Sequence, residues 1–261
     1  MEDQKMKLHC GLTTSNLAAK FGLHEKGLDF ELVFVDWVAG EAKTKAFLSN
    51  LNLYDYPFQP FGQVPVLEDG DLKLFESKAI TRYLAEQYKD VGTDLLPNDP
   101  KERAIVSMWM EIDTNQFHPF ASTLIRELII KPYQGLATDF TSVQNSKVKL
   151  SEVLNIYEAR LAESSYLAGE SFSLADLHHL PPIHYMLRME EEGVKDLIYS
   201  RPNITAWVEK MKSRPAWLKT VVKGDHIFEL TKQRRLPIKF DASCHELTSV
   251  AQTTTMVTGN N

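Results

Sequence analysis

The sequence predicts a mixed α+β half followed by an all-helical half, and three observations carry that division. Short apolar, β-branched and aromatic runs bounded by turn residues alternate with helical patterning as far as Tyr88. A polar stretch over 90–100, with Gly92, Pro97 and Pro100, then breaks the periodicity. Beyond Glu102 apolar residues recur at helical spacing through 104–130, 143–162 and 174–187. A chain of 261 residues can bury a sizeable core in two domains. The expected boundaries are 6–89 for the α+β domain, 90–100 for a linker, 101–222 for the helical domain and 223–261 for a C-terminal extension.

Residues 7–10 read as the first strand and 11–15 as a loop. Residues 16–26 are helical in pattern, with Gly27 where a helix commonly ends in a left-handed residue. Residues 29–35 are β-branched and aromatic and read as the second strand; 43–48 reads as a short helix. An apolar run follows at 64–67, then Asp69-Gly70, a hairpin signal because glycine supplies the positive φ of the turn. Residues 71–75 alternate polar and apolar, and Glu76-Ser77 places Ser77 at the N-cap of a helix over 79–88. The order β-α-β-α-β-β-α is that of a thioredoxin-like domain.

In the second half, Ser173 followed by Asp176 is a capping-box pattern, and Pro202 suits a first helical turn. Residues 226–261 show no period after Ile238 and end in polar sequence, so most of this segment is expected to be disordered. Its run Lys232-Gln233-Arg234-Arg235 reads as a solvated helix end. Between residues 49 and 60 lie three aromatics, Tyr54, Tyr56 and Phe58, which belong either to a surface loop or to a cover over a site or subunit contact.

A formal charge of −6 argues against a general nucleic-acid binder, so any anion site must be local. The two cysteines, Cys10 and Cys244, are far apart and form no disulfide framework. The charged N-terminus has no apolar segment of a signal peptide, and no stretch approaches a membrane span. A cytosolic protein without membrane or nucleic-acid partners is expected. The pair His178-His179 does not read as a metal site, because neighbours on a helix point about 100° apart and no ligand cluster surrounds them.

The site is expected where Pro65 meets Glu76-Ser77. A proline at this point removes a ladder hydrogen bond, which suits an edge strand and leaves the backbone of Val64 open to an extended peptide. The helix start at Ser77 offers N–H groups and a positive dipole end to a carboxylate. Together they suit a small acidic peptide.

Four stretches extend that reading: residues 23–33 (Leu23-His24-Glu25-Lys26-Gly27 onward), Pro60-Phe61-Gly62-Gln63-Val64-Pro65, residues 68–77, and Tyr166-Leu167-Ala168-Gly169-Glu170 with Asp176-Leu177-His178-His179. In these the sequence resembles the cytosolic glutathione transferases, most closely the plant phi class, over residues 6–222. The resemblance implies a glutathione transferase fold, a homodimer and reduced glutathione as co-substrate. It implies that Pro65 is cis, that Val64 pairs with the cysteinyl backbone of glutathione beside Gln63, and that Glu76 and Ser77 hold the γ-glutamyl end. Lys43 matches a lysine that relatives aim at the glycine carboxylate, while Ala42 stands where they carry a histidine.

Glutathione chemistry needs a thiolate, and a free thiol with a pKa near ~8.5 is mostly protonated at neutral pH. A hydroxyl donor at a helix N-terminus favours the anion. The resemblance places that donor just before the first helix, where Thr13, Thr14 and Ser15 are the candidates; such hydroxyls commonly serve only as N-caps. A hydrophobic electrophile is expected between the domains. Trp109, Met110, Phe117 and Phe120 are candidates for its wall, although such a stripe is more often core. Two rival readings are a glutathione-binding carrier of apolar metabolites with little turnover and a reductase using Cys10, the latter lacking a Cys-x-x-Cys motif.

Overall fold

The structure, a computed structural model, describes residues 5–11, 13–36, 41–44 and 61–221. The 49–60 aromatics, most of the helix expected at 43–48, the tail over 223–261 and the basic run at 232–235 lie outside the described residues.

Strand β1 (Lys7–Cys10) leads through helix α1 (Thr14–Glu25) to β2 (Glu31–Phe34), which pairs parallel with β1 in the register Lys7 to Glu31. After a short 3₁₀ turn at Glu41–Lys43 come the antiparallel strands β3 (Val66–Asp69) and β4 (Leu72–Phe75), and then helix α2 (Ser77–Gln87). The sheet order is β2-β1-β3-β4. Helix α1 ends as the sequence requires: Gly27 takes φ +64° and its N–H reaches the His24 carbonyl at 3.1 Å. The hairpin closes on the pair Asp69–Leu72, with Gly70 at φ +61°.

Two expectations are corrected here. β3 is an interior strand, hydrogen-bonded to β1 on one side and β4 on the other, so Pro65 does not lie on a sheet edge. Pro65 instead precedes the strand, where its missing N–H costs no ladder bond. Ser77 is the first residue of α2, and the N-cap is Glu76, at φ 67° and ψ 112°.

The helical half opens with α3 (Pro100–Ile112), whose N-cap Asp99 accepts from the N–H groups of Lys101 and Glu102 at 2.9 and 3.0 Å. A wide π turn, Asp113–Phe117, joins α3 to α4 (His118–Ile125), and a second one, Arg126–Ile130, follows it. α5 (Phe140–Glu163) runs through the middle of the core, burying Val143, Leu150, Leu154 and Tyr157. The single helix expected over 174–187 is two: α6 (Leu174–Leu177) and α7 (Leu180–Met186), because Pro181 and Pro182 tolerate only a helix start. α8 (Asp196–Tyr199), α9 (Pro202–Lys212) and α10 (Pro215–Val221) complete the half.

The capping box at Ser173 is present, and Asp176 does more than cap. Its carboxylate accepts from the Leu167 and Ser173 N–H groups and from the Trp207 indole, each at 3.0 Å, tying α6 to α9 and to the loop ahead of α6. Burial pushes its pKa up to about 6 against the pull of these donors.

The two halves share one core. Leu17, Ala18 and Phe21 of α1 pack with the helical half, and the Phe21 ring meets Trp217 of α10 edge-on at 5.1 Å. Arg214 binds buried Glu25 through two N–H groups, at 2.6 and 2.7 Å, while Thr93 donates to the same carboxylate at 2.6 Å. Gly92 is pressed against the end of α1, where a Cβ would lie 2.5 Å from the Glu25 carbonyl. The α1 helix is thereby fixed against both the linker and the helical domain.

Candidate functional site

A cavity of about 300 Å³ opens where α1, the start of α2 and the helical half meet. Thr14, Ser15 and Ala18 line it from α1, and Glu76, Ser77 and Lys78 from the first turn of α2. The helical half contributes Thr114, His118, His178 and Pro182. The loop hydroxyls and the Glu76-Ser77 corner, far apart in sequence, thus face one space.

The Val64–Pro65 peptide is cis, and the ladder bonds of β3 begin at Val66, so Val64 has no strand partner among the described residues. Gln63 and Glu76 are exposed, Val64 and Ser77 half-buried. Glu76 is the one non-glycine residue at positive φ among those described, a conformation uncommon outside functional or tightly held positions. The hairpin leading to it is held from behind. Asp69 accepts from Tyr83 at 2.7 Å and from Tyr88 at 2.5 Å, both on or just after α2.

The three hydroxyls divide. Thr13 is the N-cap of α1 by position, but its hydroxyl makes no capping bond. It accepts instead from the Asn16 side-chain amide at 2.6 Å and lies 3.0 Å from Ser15 Oγ. Thr14 and Ser15 line the cavity, and Thr13 does not. Lys43 sits on the exposed 3₁₀ turn, its ammonium bonded to the Phe61 carbonyl and its stem packed over Gly62. Gly62 is required there, since at φ +58° an added Cβ would fall 2.7 Å from the Ala42 carbonyl oxygen.

The expected aromatic wall lies elsewhere. Trp109, Met110 and Phe117 are 6%, 2% and 0% exposed and pack in the helical core, Trp109 and Phe117 against Tyr157 and Phe117 also against His179. Phe120 is partly buried against the same core. None of the four lines the cavity.

What the sequence reading missed is a polar wall. Lys78 binds Asp113 at 2.6 Å, donates to the Met110 carbonyl at 2.9 Å and also to Thr114. A lysine in the first turn of a helix opposes the dipole, and that misfit was the available signal of a buried acid partner. Asp113 is 1% exposed; burial pushes its pKa up, but the neighbouring His179 and Lys78 outweigh that and hold it below the usual carboxylate range. His178 is bonded to Thr81 of α2 at 2.8 Å, and burial lowers its pKa to about 3. His179 bonds Tyr157 at 3.0 Å and the Ala175 carbonyl at 2.7 Å, a hydrogen-bonded core residue as expected.

Cys10 is buried on β1, and desolvation pushes its thiol up to about 11, which leaves it a poor nucleophile and argues against the reductase reading. Among the described residues no group of three or more His, Cys, Asp or Glu could hold a metal ion, and no helix is long and apolar enough to cross a membrane.

Fold and cleft define the class: a thioredoxin-like domain joined to a helical domain across a shared cavity. Residues 5–86 match the family model described as glutathione S-transferase, N-terminal domain, and residues 117–215 match its C-terminal counterpart. Glutathione S-transferase F14 of Arabidopsis thaliana is 75% identical over 252 residues, covering 97% of this chain and 96% of that protein. The crystal structure of glutathione transferase F7 from Populus trichocarpa superposes with a TM-score of 0.77 at 40% identity, covering 84% of this chain and 99% of that one. Glutathione S-transferase I from mais, solved with an atrazine glutathione conjugate, superposes with a TM-score of 0.74 at 31% identity, covering 85% and 98%. The chain belongs to the glutathione transferase family and, within it, to the plant phi class.

Proposed function

We propose that the protein conjugates reduced glutathione to small electrophiles in the cavity between its halves, with the α1 hydroxyls holding the sulfur as thiolate. The observation that carries this reading is the shared cavity of Thr14, Ser15, Glu76 and Ser77. The Glu76 carboxylate pairs with the γ-glutamyl amine, and the Ser77 hydroxyl and N–H, at the positive end of α2, take the neighbouring carboxylate. Val64 offers its backbone to the cysteinyl unit, with Gln63 beside it. Lys43, across the same loop, suits the glycine carboxylate.

The amide of Asn16 donates to Thr13, whose hydroxyl lies 3.0 Å from that of Ser15; with Thr13 as the donor of that pair, the Ser15 hydroxyl keeps its proton for sulfur. Such a bond stabilises the thiolate over the thiol, and lowering the pKa by one to two units corresponds to roughly 1.4–2.7 kcal/mol. Holding the electrophile beside the sulfur supplies the rest through proximity. The working unit is a homodimer in the cytosol, as the phi-class resemblance implies.

The test is retention on immobilised glutathione together with turnover of 1-chloro-2,4-dinitrobenzene. Both are expected. Retention without turnover would mark a carrier, and a protein that does neither is not a glutathione enzyme.

A further inference from the structure

A second cavity, of about 330 Å³, lies toward the other end of α1 from Thr14 and Ser15 and shares no lining residue with the first. Its volume falls in the range of small-molecule pockets, roughly 300–1,000 Å³. Lys20 and His24, one helical turn apart, line it from α1, and Lys219 lines it from α10. Leu28 and Phe30, ahead of β2, and Leu32, on that edge strand, form an apolar side. The polar side is positive: two ammonium groups stand against one carboxylate, the exposed Asp29, in a chain whose formal charge is −6. Lys20 is 8% exposed, and its ammonium is fixed by donating to the Thr220 carbonyl at 2.9 Å. His24, whose Nδ1 lies 2.9 Å from Thr220 Oγ1, registers the resulting potential. Burial lowers its pKa first, and the charges of Lys20 and then Lys219 lower it further, to about 4. The His24 ring lies 5.4 Å from that of Phe30, tilted by 44°, so an aromatic surface continues from the apolar side toward the lysines.

We propose that this cavity is a binding site for an aryl carboxylate, separate from the glutathione site, with the carboxylate between Lys20 and Lys219 and the rings against Phe30 and Leu32. Two cations on one wall repel each other, and an anion between them replaces that repulsion with two attractions. Rings laid on Leu28, Phe30 and Leu32 take apolar surface out of water, Leu32 being 41% exposed. Both sides of the cavity must be used. An inorganic anion leaves the apolar side wet, and an uncharged arene leaves the lysine charges unopposed. The inference does not depend on the transferase reading.

Isothermal titration calorimetry of the full chain with 2-naphthoate, at saturating S-hexylglutathione to fill the cavity between the halves, tests this site. One molecule per chain is expected to bind. 2-Naphthamide, the uncharged equivalent, is expected to bind about tenfold more weakly, for want of charge-assisted bonds. Lys219→Glu and Leu32→Asp, both at exposed positions, are expected to raise the dissociation constant roughly fivefold to tenfold, and Lys219→Arg to leave it within about twofold. Unfolding midpoints measured without ligand report that each variant is folded. No binding by the parent, equal affinity for acid and amide, or charge and apolar variants that bind as the parent does would overturn the site. A parent that binds 2-naphthoate with the same sensitivity to both variants, but fails to bind S-hexylglutathione, would overturn the transferase reading and support this site.

Discussion

Thr13 shows how a residue can occupy one position and serve another. By sequence it is a helix N-cap, and by backbone it is one, at φ −129° and ψ 165°. Its oxygen is nevertheless drawn to Asn16 and Ser15, away from the N–H groups it would cap. A threonine that stops capping gives up on the order of 1 kcal/mol of helix stability, and the chain Asn16–Thr13–Ser15 supplies an alternative partner. The consequence is measurable. Ser15→Ala is expected to lower kcat/KM by roughly tenfold or more near neutral pH, the worth of a hydrogen bond to a charged sulfur. The deficit should shrink above about pH 9, where glutathione ionises unaided. Thr13→Val should show a smaller loss with the same pH signature, because it removes only the bond that orients Ser15. A pH–rate profile for each variant decides the matter: if Ser15→Ala matches the parent and Thr14→Val carries the loss, the donor is Thr14.

At the scale of elements, Asp176 decides how the helical half is joined. Asp176→Ala would strand the Leu167 and Ser173 N–H groups and the Trp207 indole inside the core, at an expected cost of about 3–5 kcal/mol in urea unfolding. Ser173→Ala removes the cap and one hydroxyl bond to Asp176 and should cost about 1–2 kcal/mol. Similar losses for the two would mean that Asp176 acts only as a cap. That the box could be read from sequence, together with the stop at Gly27 and the hairpin at Gly70, follows from what these features are: local bargains between a few neighbouring residues. The sheet order is not local. Pro65 suggested an edge because nothing near it in sequence shows that β1 and β4 flank β3. The turn Asp113–Phe117 escaped for a related reason. One wide turn alters the helical phase without altering composition, so a stripe counted at 3.6 residues assigns Trp109, Met110 and Phe117 to the wrong side and overlooks Thr114 and His118. The glutathione corner was legible because Gln63-Val64-Pro65 and Glu76-Ser77 are short contiguous motifs; the opposing wall was not, since Lys78, Asp113, His118 and His178 meet only after the domains dock.

Across the whole molecule, that docking places titratable groups where water cannot reach them. His178 joins the helical half to Thr81 of α2, and Lys78, Asp113, His118 and His179 are the charged or titratable groups acting on it. Burial holds its pKa near about 3, whereas in the unfolded chain it titrates near ~6.5. Between those values the unfolded state binds a proton that the folded state refuses, so stability is full above about pH 6.5 and falls as pH drops. His24 acts in the same sense where α1 meets Thr220 of α10, its pKa lowered to about 4 first by burial and then by Lys20 and Lys219. Asp176 opposes both. Its folded pKa, raised to about 6, means that its contribution improves as pH falls from 6 toward the unfolded value near ~4. The absolute slope therefore mixes signs, and the difference between parent and variant isolates one group. His178→Gln keeps a partner for Thr81 but cannot titrate. Urea unfolding from pH 7 to 4.5 is expected to show a shallower loss for this variant, by up to one proton, or about 1.4 kcal/mol per pH unit, through the lower part of that range. Parallel curves for parent and variant would mean that His178 takes up its proton in the folded protein, and that the contact between the two halves opens to water before the chain unfolds.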